Sequence, residues 1–243
     1  MDLTSFKALT FDCYGTLVDW ETGLLEVLRP WVGNHGLQID DEMLLEAYAE
    51  AEALCERATP HALYPHILFA VHRELAGRFG LPPSAQEAER LSASVGEWPA
   101  FADTTEALRE LKKHYKLVVI SNVDKASFTR TNSRLGVEFD SVVTAEQVGA
   151  YKPDVRIFHY ALEHLRKDLE IGPDDVLHVA QSLYHDHLPA KTLRLQTAWI
   201  NRRLGQEGWG ATRPPSEEVK PDLEVGSLAE FASLVKKAFL AKG

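Results

Sequence analysis

Polar side chains follow several apolar segments of this sequence, and their chemical types could together carry out nucleophilic hydrolysis. Asp12 directly follows the apolar residues 8–11, and Tyr14 and Thr16 come just after it. A carboxylate nucleophile such as Asp12 can form a covalent ester or acyl phosphate, which divides one difficult reaction into two easier steps. The other candidate residues lie further along the chain and are Ser121, Asn122, Lys152, Ser182 and Asp186.

These residue types suit different tasks in such a reaction. A lysine such as Lys152 keeps a nearby carboxylate ionised and balances the charge of an anionic substrate. Hydroxyl and amide groups, here Thr16, Ser121 and Asn122, can hold the oxygens of the substrate. A second carboxylate, Asp186, can orient a water molecule for the hydrolytic step or hold Mg²⁺.

Each of these residues also has a purely structural explanation. Asp12 could be a turn acid that ends a strand, and Asp186 could be an acid at the start of a helix. Ser121 and Asn122 could cap the next helix, and Lys152 could be an ordinary solvated lysine. Their joint occurrence at successive strand ends nevertheless favours a site, because parallel strands bring these ends to one edge of a sheet.

Hydrophobic periodicity predicts the elements that would position these residues. Short apolar runs typical of buried strands alternate with helical patterns in the second half of the chain, which predicts a mostly parallel sheet covered on both faces. Residues 18–97 have helical spacing throughout. We therefore predict an α/β core formed by residues 1–17 and 98–243, with residues 18–97 as an inserted helical cap domain. A single mixed domain is the alternative.

The helix predicted over residues 40–57 has an apolar stripe, with Glu52 among the acids that lie mostly off it. This stripe could pair two subunits in a homodimer. It could equally pack against other helices within the cap, and the sequence does not decide between these arrangements.

The charge of the chain limits its partners. The 243 residues include 26 basic and 36 acidic residues, which give a formal net charge of -10. Binding to nucleic acid or to an anionic membrane surface needs a basic patch, so we predict neither partner. A single lysine in a closed cleft could still attract a small anionic substrate, which is the partner that we predict.

Cysteine content and hydropathy favour a cytoplasmic location. Cys13 and Cys55 lie in unrelated segments and provide neither a disulfide framework nor a metal-binding motif. The first residues lack the basic start and apolar segment of a signal peptide. No apolar run approaches the ~18 residues of a membrane span.

Taken in order, four segments resemble the four motifs of the haloacid dehalogenase (HAD) superfamily, over residues 6–201. The segments are F-D-C-Y-G-T-L-V-D, V-I-S-N, Y-K-P-D and H-V-A-Q-S-L-Y-H-D. The resemblance implies a Rossmann-like parallel sheet with helices on both faces and an all-helical cap inserted after the first strand. It also implies the roles of four residues: Asp12 as the nucleophile, Ser121 as the second-motif hydroxyl, Lys152 as the motif lysine and Asp186 as the fourth-motif acid.

Tyr14 separates two branches of this superfamily, because it stands two residues after the candidate nucleophile. Superfamily phosphatases usually carry D-x-D there, and the second acid protonates the departing alkoxide. A tyrosine with an ordinary pKa of about 10 is a much poorer proton donor, whereas a halide leaves unaided. The D-x-Y-G-T pattern and W-I-N-R at residues 199–202 resemble the L-2-haloacid dehalogenase branch. Gln181 replaces the first acid of the usual fourth motif, which weakens any Mg²⁺ site.

These observations predict a hydrolase that releases halide from short 2-haloalkanoic acids through a covalent ester on Asp12, with no cofactor and no metal. The residues predicted to bind the substrate are Tyr14, Thr16, Asn122 and Ser182. Dehalogenases of this branch have an arginine in the first cap helices that receives the halide, but residues 47–57 have mainly acids and alanines. One alternative is a Mg²⁺-dependent phosphatase acting on a small phosphorylated metabolite, and another is a non-enzymatic interaction module.

Overall fold

Six parallel strands form one sheet in the computed structural model, which describes residues 1–242. The strands are β1 (Ala8–Phe11), β2 (Lys116–Ser121), β3 (Ser141–Thr144), β4 (Val176–Ala180), β5 (Gln196–Ile200) and β6 (Leu223–Val225). Their order in the sheet is β3-β2-β1-β4-β5-β6. The three central strands are almost completely buried, which explains their nearly continuous apolar sequences. Strand β6 was not predicted, because three residues are too few for a periodic signal.

Helices cover both faces of the sheet, which confirms the predicted α/β fold. The helices that follow the cap are α5 (Thr104–Leu111), α6 (Lys125–Leu135), α7 (Ala145–Val148), α8 (Val155–Leu169), α9 (Leu188–Thr192) and α10 (Leu228–Lys242). Successive residues of a strand point to opposite faces. Leu117 and Val119 of β2 belong to the core that includes α5 and α10, whereas Val118 and Ile120 pack with residues of α8.

Four helices between β1 and α5 form the cap. They are α1 (Trp20–Asn34), α2 (Asp41–Ala58), α3 (Tyr64–Arg78) and α4 (Ala85–Ser94). Two short chain segments connect the cap to the sheet and run side by side. The backbone N–H of Asp19 donates to the carbonyl of Pro99 at 2.8 Å, and that of Phe101 donates to the carbonyl of Leu17 at 3.1 Å. The two connections are therefore tied together where the chain enters and leaves the cap.

Helix α2 contributes two acids to the buried side of the cap. Its N-cap residue Asp40 accepts hydrogen bonds from the next backbone N–H groups, which starts the helix. The apolar residues of its predicted stripe are largely buried within the cap, and the homodimer stays a prediction. Glu52, which was predicted to lie mostly off the stripe, is buried with only 4% exposure, and Glu56 is 6% exposed. The prediction was wrong for Glu52, because it follows the buried Tyr48 by four residues and shares its helix face.

The segment 201–213 runs from the end of β5 onto the cap. Arg203 contacts Glu21 of α1 at 2.8 Å and also contacts Glu42 of α2. Two backbone N–H groups of the segment donate to the same carboxylates. This attachment brings Thr212 to the cleft between cap and core. None of the helices described between residues 1 and 242 combines the length and the apolar character that a membrane span needs.

Candidate active site

The candidate active site lies at the carboxyl edge of the sheet, where several predicted residues converge. Asp12 follows β1, which lies between β2 and β4, and its backbone N–H donates to the carbonyl of Val179 at 3.2 Å. Lys152 comes from the segment between α7 and α8, and Asp186 comes from a π-helical turn, Leu183–His187, after β4. Three segments that are far apart in sequence therefore meet at one place.

Lys152 joins the two carboxylates of the site. Its Nζ donates to Asp12 Oδ1 at 2.7 Å, to Asp186 Oδ1 at 2.8 Å and to the carbonyl of Ile120 at 3.0 Å. An ammonium group has three donors, so all of them are used. Lys152 is 1% exposed, and its charge is therefore balanced by protein carboxylates rather than by water.

The pKa values of these groups reflect burial and mutual attraction. Burial alone would lower the pKa of Lys152, but Asp12 and Asp186 outweigh this effect and raise it. Burial opposes ionisation of Asp186, but the Lys152 ammonium and the hydrogen bond from His178 outweigh it, so the pKa of Asp186 lies well below its ordinary value. Burial raises the pKa of Asp12, and the Lys152 ammonium opposes this rise.

Two further side chains fix the carboxylates in place. The hydroxyl of Thr16 donates to Asp12 Oδ2 at 2.8 Å, while it accepts from the backbone N–H of Gln181 at 2.9 Å. His178 lies buried on β4, with its Nε2 3.1 Å from Asp186 Oδ1 and its Nδ1 2.9 Å from the hydroxyl of Thr10. If Nε2 carries the proton, His178 donates to Asp186 and accepts from Thr10. Sequence reasoning gave no role to His178, because a histidine inside an apolar strand resembles an ordinary core residue.

Asn122 and Ser121 follow β2, and the structure places them differently. The side-chain oxygen of Asn122 accepts from the backbone N–H of Lys152 at 2.6 Å, and its nitrogen donates to the carbonyl of Lys152 at 3.1 Å. Asn122 lines the cavity next to Asp12 and also positions Lys152. Ser121 is fully buried, and its hydroxyl has no hydrogen-bond partner in the part of the chain that the structure describes. The substrate-binding role of Asn122 and the catalytic role of Ser121 stay predictions.

Ser182 and Tyr14 also line the cavity, but their hydroxyls are bonded to the protein. The Ser182 hydroxyl accepts from the backbone N–H of His185 at 2.9 Å. The Tyr14 hydroxyl lies 2.7 Å from the hydroxyl of Thr131 on α6. Burial raises the pKa of Tyr14 well above its usual value, so this phenol is a still weaker acid than a solvated one. Both residues remain predicted substrate contacts through their cavity-facing surfaces.

The cap contributes an acid to the lining of the cavity. Glu52 Oε1 accepts hydrogen bonds from the hydroxyls of Tyr48 at 2.9 Å and Tyr64 at 2.5 Å. Burial raises the pKa of Glu52 to about 7, although the hydrogen bonds from Tyr64 and Tyr48 oppose the shift. Sequence reasoning missed Glu52 and Tyr64. The spacing of four between Tyr48 and Glu52 is the signal that could have placed this acid on the buried face.

The cavity between cap and core is small. Core residues on its wall include Asp12, Lys152 and Asp186, and cap residues on its wall include Trp20, Glu52 and Tyr64. Its volume of about 30 Å³ is room for roughly two water molecules. In this closed arrangement only a very small molecule could lie next to Asp12.

The side chains around Asp12 do not fit a Mg²⁺ site. The Lys152 ammonium lies between Asp12 and Asp186 and already occupies one oxygen of each carboxylate that a metal would bind. In the motif pattern that the sequence resembles, Gln181 stands where metal-dependent members commonly carry an acid, and an amide is a weaker ligand for Mg²⁺ than a carboxylate. Across residues 1–242, no cluster of three or more His, Cys, Asp or Glu side chains is arranged to hold a metal ion.

Comparison with known families identifies the class of protein to which this site belongs. A family model described as haloacid dehalogenase-like hydrolase matches residues 6–184. The chain therefore belongs to the haloacid dehalogenase-like hydrolases, and the predicted superfamily is confirmed.

Individual relatives show which branch of the family this chain is similar to. The chain is 28% identical to an (S)-2-haloacid dehalogenase of Pseudomonas putida, over 95% of this chain and 97% of that protein. It is 27% identical to (S)-2-haloacid dehalogenase 4A of Burkholderia cepacia, over 96% of both chains. The solved structure of the L-2-haloacid dehalogenase from Xanthobacter autotrophicus superposes with a TM-score of 0.74 at 20% identity, covering 95% of this chain and 98% of that one. The first two relatives confirm the predicted branch, and the third shows the same fold.

Proposed function

We propose that this hydrolase removes halide from short 2-haloalkanoic acids, using Asp12 as the nucleophile and no metal ion. The placement of Asp12 against Lys152 carries this proposal, because the ammonium favours the ionised carboxylate against the opposing effect of burial. The full-length similarity to (S)-2-haloacid dehalogenases supports the same substrate class.

In the first step, an oxygen of Asp12 attacks C2 of the substrate. A bond forms between this oxygen and C2 while the carbon–halogen bond breaks, and the halogen leaves with the bonding electron pair as halide. Lys152 and Thr16 hold the two Asp12 oxygens at 2.7 and 2.8 Å, so the carboxylate is oriented before the substrate arrives. The product of this step is an ester between Asp12 and the 2-hydroxy acid.

In the second step, water hydrolyses the ester. The water oxygen attacks the carbonyl carbon of the Asp12 ester. The bond between this carbon and the ester oxygen attached to C2 then breaks. One water proton ends on the hydroxyl of the product, and the other is released when Asp12 ionises again, which Lys152 favours. Asp186 stays ionised because of its low pKa, so it suits orienting the water rather than taking its proton.

The phosphatase alternative lacks a proton donor at the usual position. The residue two after the nucleophile is Tyr14, and its hydroxyl is bonded to Thr131 on α6. A departing alkoxide needs a proton, whereas a halide does not. Phosphate release that requires Mg²⁺ would nevertheless support the phosphatase alternative.

Halide release from 2-chloropropionate and bromoacetate tests the proposal. The Asp12→Asn variant should release no halide, whereas the matched control Asp174→Asn, at an exposed position before β4, should keep the wild-type rate. A single turnover in ¹⁸O-labelled water should place the heavy oxygen on Asp12, because water attacks the carboxyl carbon. Halide release without label on Asp12 would contradict the covalent mechanism, and no release from any short haloacid would contradict the proposed function.

A further inference from the structure

Glu52 is the acid that the cap contributes to the lining of the cavity next to Asp12. Both Glu52 and Asp12 line this cavity, and Glu52 is 4% exposed. Its Oε1 is occupied by the hydroxyls of Tyr48 and Tyr64. Its Oε2 has no hydrogen-bond partner within residues 1–242. One oxygen of this carboxyl group is therefore fixed by the cap, and the other is free of hydrogen bonds to the described residues.

The two phenols determine which oxygen of the Glu52 carboxyl group carries a proton. Tyr48 and Tyr64 both donate to Oε1, which is the role of an acceptor and suits the carbonyl oxygen of a carboxylic acid. A proton on this group then resides on Oε2. The acid would present an O–H donor to the cavity, without a protein acceptor in the described residues.

The surroundings of Glu52 favour this protonated form. No lysine, arginine or histidine forms an ion pair with Glu52 in the described chain, so the charge of an ionised carboxylate would be buried without a cation. The titratable groups around it are Tyr48, Cys55 and Glu56 of α2, Tyr64 of α3, and Asp12, Tyr151, Lys152, His185 and Asp186 of the core. Burial raises the pKa of the neighbouring Glu56 well above its ordinary value, and an acid can supply no positive charge to balance an ionised Glu52.

The direction of the displacement reaction determines which side of the cavity receives the leaving group. Asp12 and the groups that hold it belong to the core side of the cavity. In an in-line displacement the leaving group departs on the side of the carbon opposite to the attacking oxygen. The cap residues that line this cavity are Trp20, Glu52 and Tyr64, so a leaving group that departs away from the core side moves towards the cap.

Resting on the proposed dehalogenation, we propose that Glu52, held by Tyr48 and Tyr64, receives the departing halide through a hydrogen bond from its protonated carboxyl group. The carbon–halogen bond breaks with its electron pair on the halogen, and the proton stays on Glu52. Fluoride accepts hydrogen bonds more strongly than bromide and is the poorer leaving group. The site therefore favours carbon–fluorine substrates more than a site that relies on simple charge attraction would.

Kinetics with paired substrates test this role. The kcat/KM values with fluoroacetate and with bromoacetate are measured from acid to alkaline pH. The proteins compared are wild type, Glu52→Ala, Glu52→Gln and the control Glu46→Gln, which lies on the exposed face of α2. Glu52→Ala should reduce kcat/KM for fluoroacetate about 10- to 100-fold more than for bromoacetate. Wild type should lose activity on fluoroacetate as the pH rises through about 7, where the acid ionises. Glutamine keeps a donor that does not titrate, so Glu52→Gln should lack this alkaline decline.

Fluoride binding provides a test that does not depend on turnover. Trp20 lines the cavity, so tryptophan fluorescence can follow a fluoride titration. Wild type should bind fluoride below pH of about 7 and lose it above, Glu52→Ala should not bind it, and Glu52→Gln should bind it at both pH values. Two results would overturn the inference. One is an equal loss of kcat/KM for both substrates with unchanged pH profiles, and the other is fluoride binding that does not change when Glu52 is replaced. If wild type binds fluoride in this way but releases no halide from haloacids, the proposed function fails, and only the binding of halide by Glu52 is supported.

Discussion

Replacing Glu52 by glutamine should stabilise the folded protein above neutral pH and change its stability little at acid pH. Glu52 is fully buried, and its pKa rises from 4.5 to about 7 in the folded state because burial disfavours the charge. A carboxyl group with a raised folded-state pKa contributes its full stability below the unfolded value. This contribution is lost as the pH rises from about 4.5 through about 7.

The size of this effect follows from the two pKa values. They differ by about 2.5 units, and each unit corresponds to about 1.4 kcal/mol. The free energy of unfolding of wild type should therefore fall by up to about 3 kcal/mol, relative to Glu52→Gln, between acid and mildly alkaline pH. Glutamine does not titrate, and its oxygen can still accept from Tyr48 and Tyr64, so the packing of the cap is kept.

Urea denaturation at a series of pH values measures this difference directly. The stability difference between wild type and Glu52→Gln should grow from about pH 5 to about pH 8. The control Glu46→Gln changes an exposed glutamate on the same helix, and its curve should run parallel to that of wild type. Parallel curves for Glu52→Gln as well would refute the reasoning, because they would mean that Glu52 is ionised in both states.

Three further predictions concern the core side of the site. Lys152→Met should lower halide release by about 10²–10³-fold and destabilise the fold by about 3–5 kcal/mol, because Asp12 and Asp186 lose their common partner; halide assays and urea denaturation measure the two effects. His178→Phe should lower kcat about 10²-fold with little change in KM, since Asp186 loses an orienting hydrogen bond, and similar losses in both constants would contradict this role. EDTA treatment should leave halide release unchanged, because Lys152 supplies the positive charge between the carboxylates; a loss that Mg²⁺ restores would contradict it.

The core side of the site could be predicted from sequence, because a parallel sheet converts strand order into proximity. Asp12 and Lys152 are 140 residues apart in sequence, yet the shared edge of the strands places their charged atoms 2.7 Å apart. The cap side could not be predicted in this way. Periodicity shows which face of α2 is buried. Acids are seldom buried, so a glutamate such as Glu52 is expected on the exposed face. Its role depends on Tyr64 from another helix, and sequence spacing does not show such contacts between helices.

The charges in the cavity favour a neutral acid over an ionised one on the cap side. Lys152 carries one positive charge against the negative charges of Asp12 and Asp186, so the core side is already anionic. A haloacid brings a further negative charge, and an ionised Glu52 would add another in a site with little water to screen them. A neutral Glu52 avoids this repulsion and still offers a donor to the halide. Because linkage is reciprocal, a bound anion must in turn favour the protonated form of Glu52, so substrate binding and protonation of the cap support each other.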